Sequence, residues 1–360
     1  MSATVLAPHP YNRFVTADEI KARAAELGFA LCGIAPAAAH RELGFLREWL
    51  GRGYAGEMHY LERSADRRED VRAVMPSARS VICLATAYNT DRPYSTELAG
   101  SSQALIARYA WGEDYHDVIQ QRMQALVEWM RERAGAGFEA RAYVDTGPVQ
   151  ERVYAQYAGL GWIGKNTCVI NPEIGSWLFL SEILCSLALE PDTPSLDQCG
   201  GCRLCIDSCP TGAIVDPYVL DSTRCLSYLT IELKGEMPLD QRESVGAHAY
   251  GCDICQEVCP WNAQPAEPDD PSSPWLPRAA FDGPTLAALW RTPDADLRAA
   301  MKRSAMTRAG VRRLRRNVAV CAGATGDAEA LTALRDVREP LCDDPLVAEH
   351  VHWALELRDG

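Results

Sequence analysis

The chain has 360 residues, a net charge of −13 and 47% hydrophobic residues, proportions of a soluble globular protein with room for two or three domains. The opening MSATVLAPHPYNRF lacks the basic stretch, apolar run and small-residue cleavage site of a secretory signal. The longest apolar run, residues 177–189, is too short for a bilayer span and carries Glu182. These features predict a cytoplasmic protein without membrane association. In such a reducing compartment the fourteen cysteines are read as metal-binding or core thiols rather than disulfides.

In chain order, TADEIKARAAELG (16–28) pairs Thr16 with Glu19 as a capping box and ends at Gly28, which predicts a helix. FALCGIAPA, SVICLATAY and EARAYVD read as strands. Between the last two, Val118, Met123, Leu126, Val127 and Met130 fall on one helical stripe. This alternation predicts an α/β domain over residues 1–190. Residues 191–265 hold eight cysteines in a loop-rich module, interrupted by PYVLDSTRCLSYLTIEL, which has helical character. Residues 266–283, rich in Pro, Asp and Ser, read as a linker. In the remainder, 284–360, Val311, Leu314, Val318 and Cys321 recur at helical spacing, and so do Leu346, His350, Ala354 and Leu357. Either a short stack of paired helices or an unrelated helical cap fits this pattern.

Cys199, Cys202, Cys205 and Cys209-Pro210 form C-x2-C-x2-C-x3-C-P, the spacing in which three thiolates hold one iron–sulfur cluster and the fourth serves its neighbour. A second group is therefore required. Cys252, Cys255 and Cys259-Pro260 supply it, with Cys225 as the eighth sulfur. Cluster one is assigned to Cys199, Cys202, Cys205 and Cys259, and cluster two to Cys209, Cys225, Cys252 and Cys255. Tetrahedral zinc is the competing use of C-x2-C pairs, but it does not explain two interlaced Cys-Pro groups. Cysteines 32, 83, 168, 185, 321 and 342 lie in apolar segments and read as core.

RYAWGEDYH (108–116), YVDTGPVQER (143–152), GLGWIGKNT (159–167), the ferredoxin-type cysteines, GCDICQEVCPWN (251–262) and RRLRRNVAV (312–320) together resemble the epoxyqueuosine reductase family over nearly the whole chain. That family is similar in its core to cobalamin-dependent reductive dehalogenases and reduces epoxyqueuosine to queuosine at the tRNA wobble position. The resemblance implies a nitroreductase-like α/β cobalamin-binding domain, a bacterial ferredoxin-type module with two [4Fe-4S] clusters, and a C-terminal HEAT-like helical repeat domain that binds tRNA. It also implies base-off cob(II)alamin. The corrin signature D-x-H-x-x-G is absent, since Asp114 and His116 have no glycine at the required place.

Asp145, in YVDTGPV, reads from sequence as a turn aspartate. The family match makes it the proton donor, a role for which a raised pKa is expected. As cobalamin contacts the resemblance implies Arg68, Arg108, Asp145, Asn166, Thr167 and Val169 from the catalytic domain, Ser227 and Lys234 from the insert, and Asp253 and Ile254 between cluster ligands. Arg68 and Arg108 alternatively read as surface ion pairs. GKNTCVINPEIGSW reads as a β-hairpin. His59 and His116 read as surface or core residues.

KRSAMTRAGVRRLRR (302–316) has seven basic residues and no acidic one. Lys302, Arg303, Arg308, Arg312, Arg313, Arg315 and Arg316 are candidates for tRNA phosphates, with a solvated helix face as the plain alternative. A splayed anticodon-loop base would have to enter the pocket. An external low-potential electron donor and a monomer are expected. Two other classes compete. One is a reductive dehalogenase of a small organohalide, whose members carry a twin-arginine signal not seen here. The other is an RNA-binding electron-transfer protein, which leaves the α/β domain without a task.

Overall fold

The computed structural model describes residues 15–98, 100, 102–263, 270–336 and 344–359. The predicted first helix, α1 (Ala17–Glu26), starts where expected: Thr16 Oγ1 accepts from Glu19 N at 3.3 Å, while Thr16 N donates to Glu19 Oε2 at 2.9 Å. The three predicted strands form as β1 (Leu31–Pro36), β2 (Ser80–Ala87) and β3 (Ala140–Tyr143). A fourth, β4 (Leu178–Cys185), lies inside the apolar run that the sequence marked only as too short for a membrane. The sheet order is β1-β2-β4-β3 and every pairing is antiparallel. Helices cover both faces, which is why β2 and β4 lack the apolar–polar alternation of a half-solvated sheet.

On one face pack α1 and α2 (Tyr115–Ala134), with Ile119, Met123, Leu126 and Met130 fully buried. Val118 and Val127 of the expected stripe are only partly covered. On the other face lie residues 65–75 and α3 (Glu151–Tyr157). Gly33 of β1 permits that approach, since a Cβ there would sit 2.0 Å from the Ala158 carbonyl oxygen.

The cysteine module folds around short loops and a hairpin, Ile214–Asp216 with Val219–Leu220. The insert expected to be helical, residues 217–233, instead holds the hairpin strand Val219–Leu220, a 3-10 turn, Ser222–Arg224, and a π-helical turn, Tyr228–Glu232. Proline and ligand cysteines leave little room for a longer helix. The expected linker is not a free tether from residue 270 onward. Glu113 N donates to the Pro274 carbonyl at 2.8 Å, Arg278 N donates to Trp111 O at 3.1 Å, and Trp275 and Phe281 are buried. Apolar residues among the prolines explain this packing. Residues 266–269 of the linker lie outside the described residues.

The C-terminal part comprises α4 (Leu286–Arg291), α5 (Asp294–Met301), α6 (Gly310–Thr325), α7 (Ala328–Arg335) and α8 (Pro345–Asp359). α6 packs against α8, and α4 against α7. Their core includes Leu226, Leu229, Ile231 and Tyr250 from the cysteine module, and Ile106 and Ala110 from the catalytic region. One apolar core therefore runs across the boundaries drawn from sequence. The stripe Val311, Leu314, Val318 and Cys321 is buried, as are Leu346, His350 and Ala354, but Leu357 is exposed near the chain end. Among the described residues, no helix is long and apolar enough to cross a membrane.

Candidate functional site

Asp145 lies two residues beyond β3, in the turn Val144–Val149, with φ of 56°, a conformation that costs a non-glycine residue energy and marks functional turns. Tyr143 closes over the turn, so a Cβ at Gly147 would come 2.5 Å from its ring. Tyr115 Oη donates to Asp145 Oδ2 at 2.9 Å, and His116 Nε2 stands 3.5 Å from the same oxygen. Asp114, which caps α2, accepts from His116 Nδ1 at 2.8 Å. His116 thus bridges two carboxylates. Burial alone would push its pKa down, but the bonds to Asp114 and Asp145 outweigh burial and raise it to about 9.

The raised pKa expected for Asp145 is not found. Burial pushes its carboxyl up, but the bonds from His116 and Tyr115, with the charges of His116 and Arg152, hold it below the usual value. The proton of this network resides on His116. That histidine was read from sequence as surface or core, and its only early signal was the Asp114-x-His116 pattern. His59 is exposed beside Glu62.

Around this turn stand Arg68, Tyr60 and Arg308, each acting electrostatically on or with Asp145. Arg68 donates from Nε to Ser64 Oγ and from Nη1 to the Val149 carbonyl, both at 2.9 Å. Arg108 has a different fate. It is 2% exposed, and its terminal nitrogens donate to Thr90 Oγ1 and to the carbonyls of Thr90, Arg92 and Pro93, between the rings of Tyr94, Trp111 and Trp177. The guanidinium clamps the 90–93 segment. This corrects its reading as a surface cation, while its backbone N–H donates to Asp253 Oδ2 at 2.6 Å.

A hairpin forms, but shifted toward the N-terminus of the predicted stretch 164–177: its strands are Trp162–Ile163 and Val169–Ile170, and within 171–177 there is the isolated Asn171–Gly175 bridge. Thr167 at its tip has φ of 65° and accepts from Arg152 Nη1 at 3.3 Å. Asn166 Nδ2 donates to the Cys255 carbonyl at 3.1 Å. Val169 is buried in the sheet core. Cys168, read as a core thiol, instead lies against Cys255 and within reach of Arg152. Arg152 acts on Asp145 by charge and is bonded to the hairpin at Thr167, and the hairpin is bonded through Asn166 to Cys255. Asp253 is 7% exposed, and burial raises its carboxyl to about 7. Ile254 is half-buried, Ser227 sits at the start of the π turn, and Lys234 is exposed with its N–H on Glu57.

The cysteines fall into the two groups derived from spacing. A cavity of about 240 Å³ is lined by Cys199, Cys202, Cys205 and Cys259. Lys165 pins its rim by donating to the Gly200 and Cys202 carbonyls at 2.6 and 2.8 Å, and Trp162 Nε1 donates to Cys199 Sγ at 3.5 Å. Burial and the three neighbouring thiols raise Cys205 to about 11. Burial and neighbouring thiols, Cys209 among them, raise Cys225 and Cys252, and the bond with Cys168, burial, and Cys252 and Cys225 raise Cys255. Four thiolates facing each other are unfavourable until metal charge offsets them, so both groups fit a thiolate-bound cluster. Of the other cysteines, Cys83, Cys185 and Cys321 are buried as expected and Cys32 is partly covered. Cys342 lies outside the described residues.

The basic run divides. Lys302, Arg303, Arg308 and Arg312 are exposed, with Arg303 3.9 Å from Glu113, Arg308 bonded to Glu232 and Arg312 to Asp344. Arg313 is half-buried and donates to the Ile231 carbonyl at 2.6 Å. Arg315 and Arg316 are 2% and 0% exposed, and their guanidiniums are spent on internal partners. These two cannot reach a phosphate, which corrects their assignment.

A family model described as the epoxyqueuosine reductase QueG matches residues 68–146, and one for a 4Fe-4S double cluster binding domain matches residues 198–262. An epoxyqueuosine reductase of Xanthomonas campestris is 40% identical over 99% of both chains. One from Pseudomonas aeruginosa is 41% identical over 94% of this chain and 93% of its own. A crystal structure of an epoxyqueuosine reductase with an epoxyqueuosine-modified tRNA-Tyr stem loop superposes with a TM-score of 0.85 at 29% identity, covering 95% of this chain and 90% of that one. The fold, the double-cluster domain and the full-length likeness agree: this chain belongs to the epoxyqueuosine reductase family.

Proposed function

We propose that this chain reduces the epoxide of epoxyqueuosine to queuosine at the wobble position of tRNA, with Asp145 as the group that meets the departing oxygen. The observation that carries the reading is the Asp145 turn, joined to one acid–base network behind it and to the cysteine module through Arg152 and the hairpin. Removing the epoxide oxygen as water consumes two electrons and two protons. Cluster one on Cys199, Cys202, Cys205 and Cys259, and cluster two on Cys209, Cys225, Cys252 and Cys255, would relay electrons singly from an external low-potential donor.

Cobalamin, when bound, would supply a strongly reducing centre for the epoxide. Arg68, Asn166, Thr167, Ser227, Lys234, Asp253 and Ile254 would border it. The fit rests on Asp145 and Thr167, two of the four non-glycine residues with left-handed backbone among the described residues, with Arg152 bonded to Thr167 and acting by charge on Asp145, since such strained positions cluster at ligand clamps. Tyr115 and His116 orient the Asp145 carboxylate. His116 holds a proton at neutral pH and stands close enough to pass it to Asp145, which delivers it to the leaving oxygen. Because the Asp145 carboxyl is held below its usual pKa, it must gain a proton before it can act as the acid.

The C-terminal helices are read as a HEAT-like repeat on which Lys302, Arg303, Arg308 and Arg312 meet tRNA phosphates. Arg308, close to both Tyr60 and Asp145, joins that face to the site. We take the protein to work as a cytoplasmic monomer. The test is anaerobic reconstitution with iron, sulfide and cobalamin, followed by nucleoside analysis of epoxyqueuosine-containing tRNA. Asp145→Asn is expected to keep iron and cobalamin content and to lose turnover by about a hundredfold or more; near-normal activity would sink the assignment.

A further inference from the structure

Glu182 lies in the middle of β4, opposite Cys83 of β2 and Tyr143 of β3. It has zero exposure, and no residue donates a hydrogen bond to either carboxyl oxygen. It shares the β4 face of Leu184, toward α3, whose first residue is Glu151. The two carboxyls contact each other. Two carboxylates cannot form that bond, because neither has a proton to donate. Glu151 has a second partner: its Oε1 accepts from the backbone N–H of Asp145 at 2.7 Å. The strained Asp145 turn is therefore held from behind by a carboxyl that leans on another carboxyl.

We propose that Glu151 and Glu182 share one buried proton, with Glu182 as its donor, and that the charge left on Glu151 latches the Asp145 turn in its working position. Both are positioning residues. A neutral Glu182 avoids the cost of an ionised carboxylate sealed in a sheet. The same geometry leaves Glu151 with two donors, one from Glu182 and one from the Asp145 backbone, which is what a carboxylate needs when it is withdrawn from water.

Burial raises Glu151 to about 7 and pushes the Glu182 carboxyl well above the usual carboxylate range. The other groups facing the pair are Asp145, Tyr115, Arg68, Arg152 and Cys83. Asp145 favours the proton, and the two arginines favour charge on Glu151. The sign follows: because the Glu151 pKa is raised, acidification through about pH 7 protonates it, weakens the latch and lowers the rate, and alkalinisation restores it.

The proposal rests on Asp145 as the acid, so the test has two independent arms. Infrared spectroscopy of the reconstituted holoenzyme in water and deuterated water should show the carbonyl stretch of a water-excluded carboxylic acid, absent in Glu182→Gln. In pH profiles of single-turnover kcat, the wild type should show an acidic limb near Glu151's pKa. Glu151→Gln should lose that limb, because its amide oxygen accepts from Asp145 N–H without titrating. Glu151→Ala should lose about tenfold in kcat at neutral pH for the missing bond. Glu182→Leu should move the limb to higher pH, since Glu151 loses its buried donor. A wild-type spectrum without the band, or an unchanged limb in Glu151→Gln, would overturn the shared proton. An active Asp145→Asn enzyme would instead remove the acid reading and leave the infrared result standing.

Discussion

Arg312 and Arg316 stand one helical turn apart in the same basic run, yet the structure uses them in opposite ways. Arg312 is exposed and held by Asp344, whereas Arg316 is sealed beneath α6, where it donates to the carbonyls of Leu229, Leu233 and Gly235 and to Asn317 Oδ1. One is available to an anion and the other is a strut between the C-terminal helices and the cysteine module. Arg315 repeats the second pattern at α4, with Asp294 and the Leu289 carbonyl. Arg312 and Arg316 share a face of α6, and position along the helix separates them: Arg312 stands in the exposed first turn, and Arg316, one turn further in, lies over residues 229–235. A count of charges locates a helix that is basic; only burial separates recognition from scaffolding.

The largest effect should come from breaking the strut. Arg316→Met leaves three main-chain carbonyls without their donor in a closed space, at a cost on the order of 3–5 kcal/mol. A fall of that size in denaturant unfolding of the reconstituted protein, with the salt slope of tRNA binding unchanged, separates the strut from a phosphate contact. A reduced slope at unaltered stability would reverse the comparison.

The same distinction explains what was legible in the sequence. The cysteine groups were readable because ligand geometry imposes its spacing on the chain, and the capped α1 and striped α2 because their signals are local. β4 was missed as a strand because burial on both faces erases its alternation. Glu151 and Glu182 carry no sequence signal at all: they lie 31 residues apart and meet only where α3 packs on β4. The Pro-rich segment after residue 270 looked like a tether because its composition hides Trp275 and Phe281, which anchor it. Arg315 and Arg316 were assigned to phosphate because nothing in KRSAMTRAGVRRLRR says which turn of the helix faces inward. His116 was discounted because Asp145 lies 29 positions away in sequence and joins it only through the end of β3.

The exposed half of the run supplies the smaller effects. Arg308→Ala combined with Arg312→Ala should reduce the slope of log affinity against log salt by about 2. Stability should hardly change, because the ion pairs with Glu232 and Asp344 are exposed and such pairs contribute about 0–1 kcal/mol each. Those carboxylates already occupy the two guanidiniums, so tRNA must compete for them, and part of the binding energy is spent on the exchange. Lys302 differs in being a compact ammonium at the edge of the run, beside Arg303. Lys302→Ala should lower the slope by about 1, the smallest change of the series, while leaving iron content and kcat at saturating tRNA unaltered. If Lys302→Ala instead matched the double variant, the phosphate track would run toward Arg303 and Glu113 rather than along α6, and the contrast between Arg312 and Arg316 would concern stability alone.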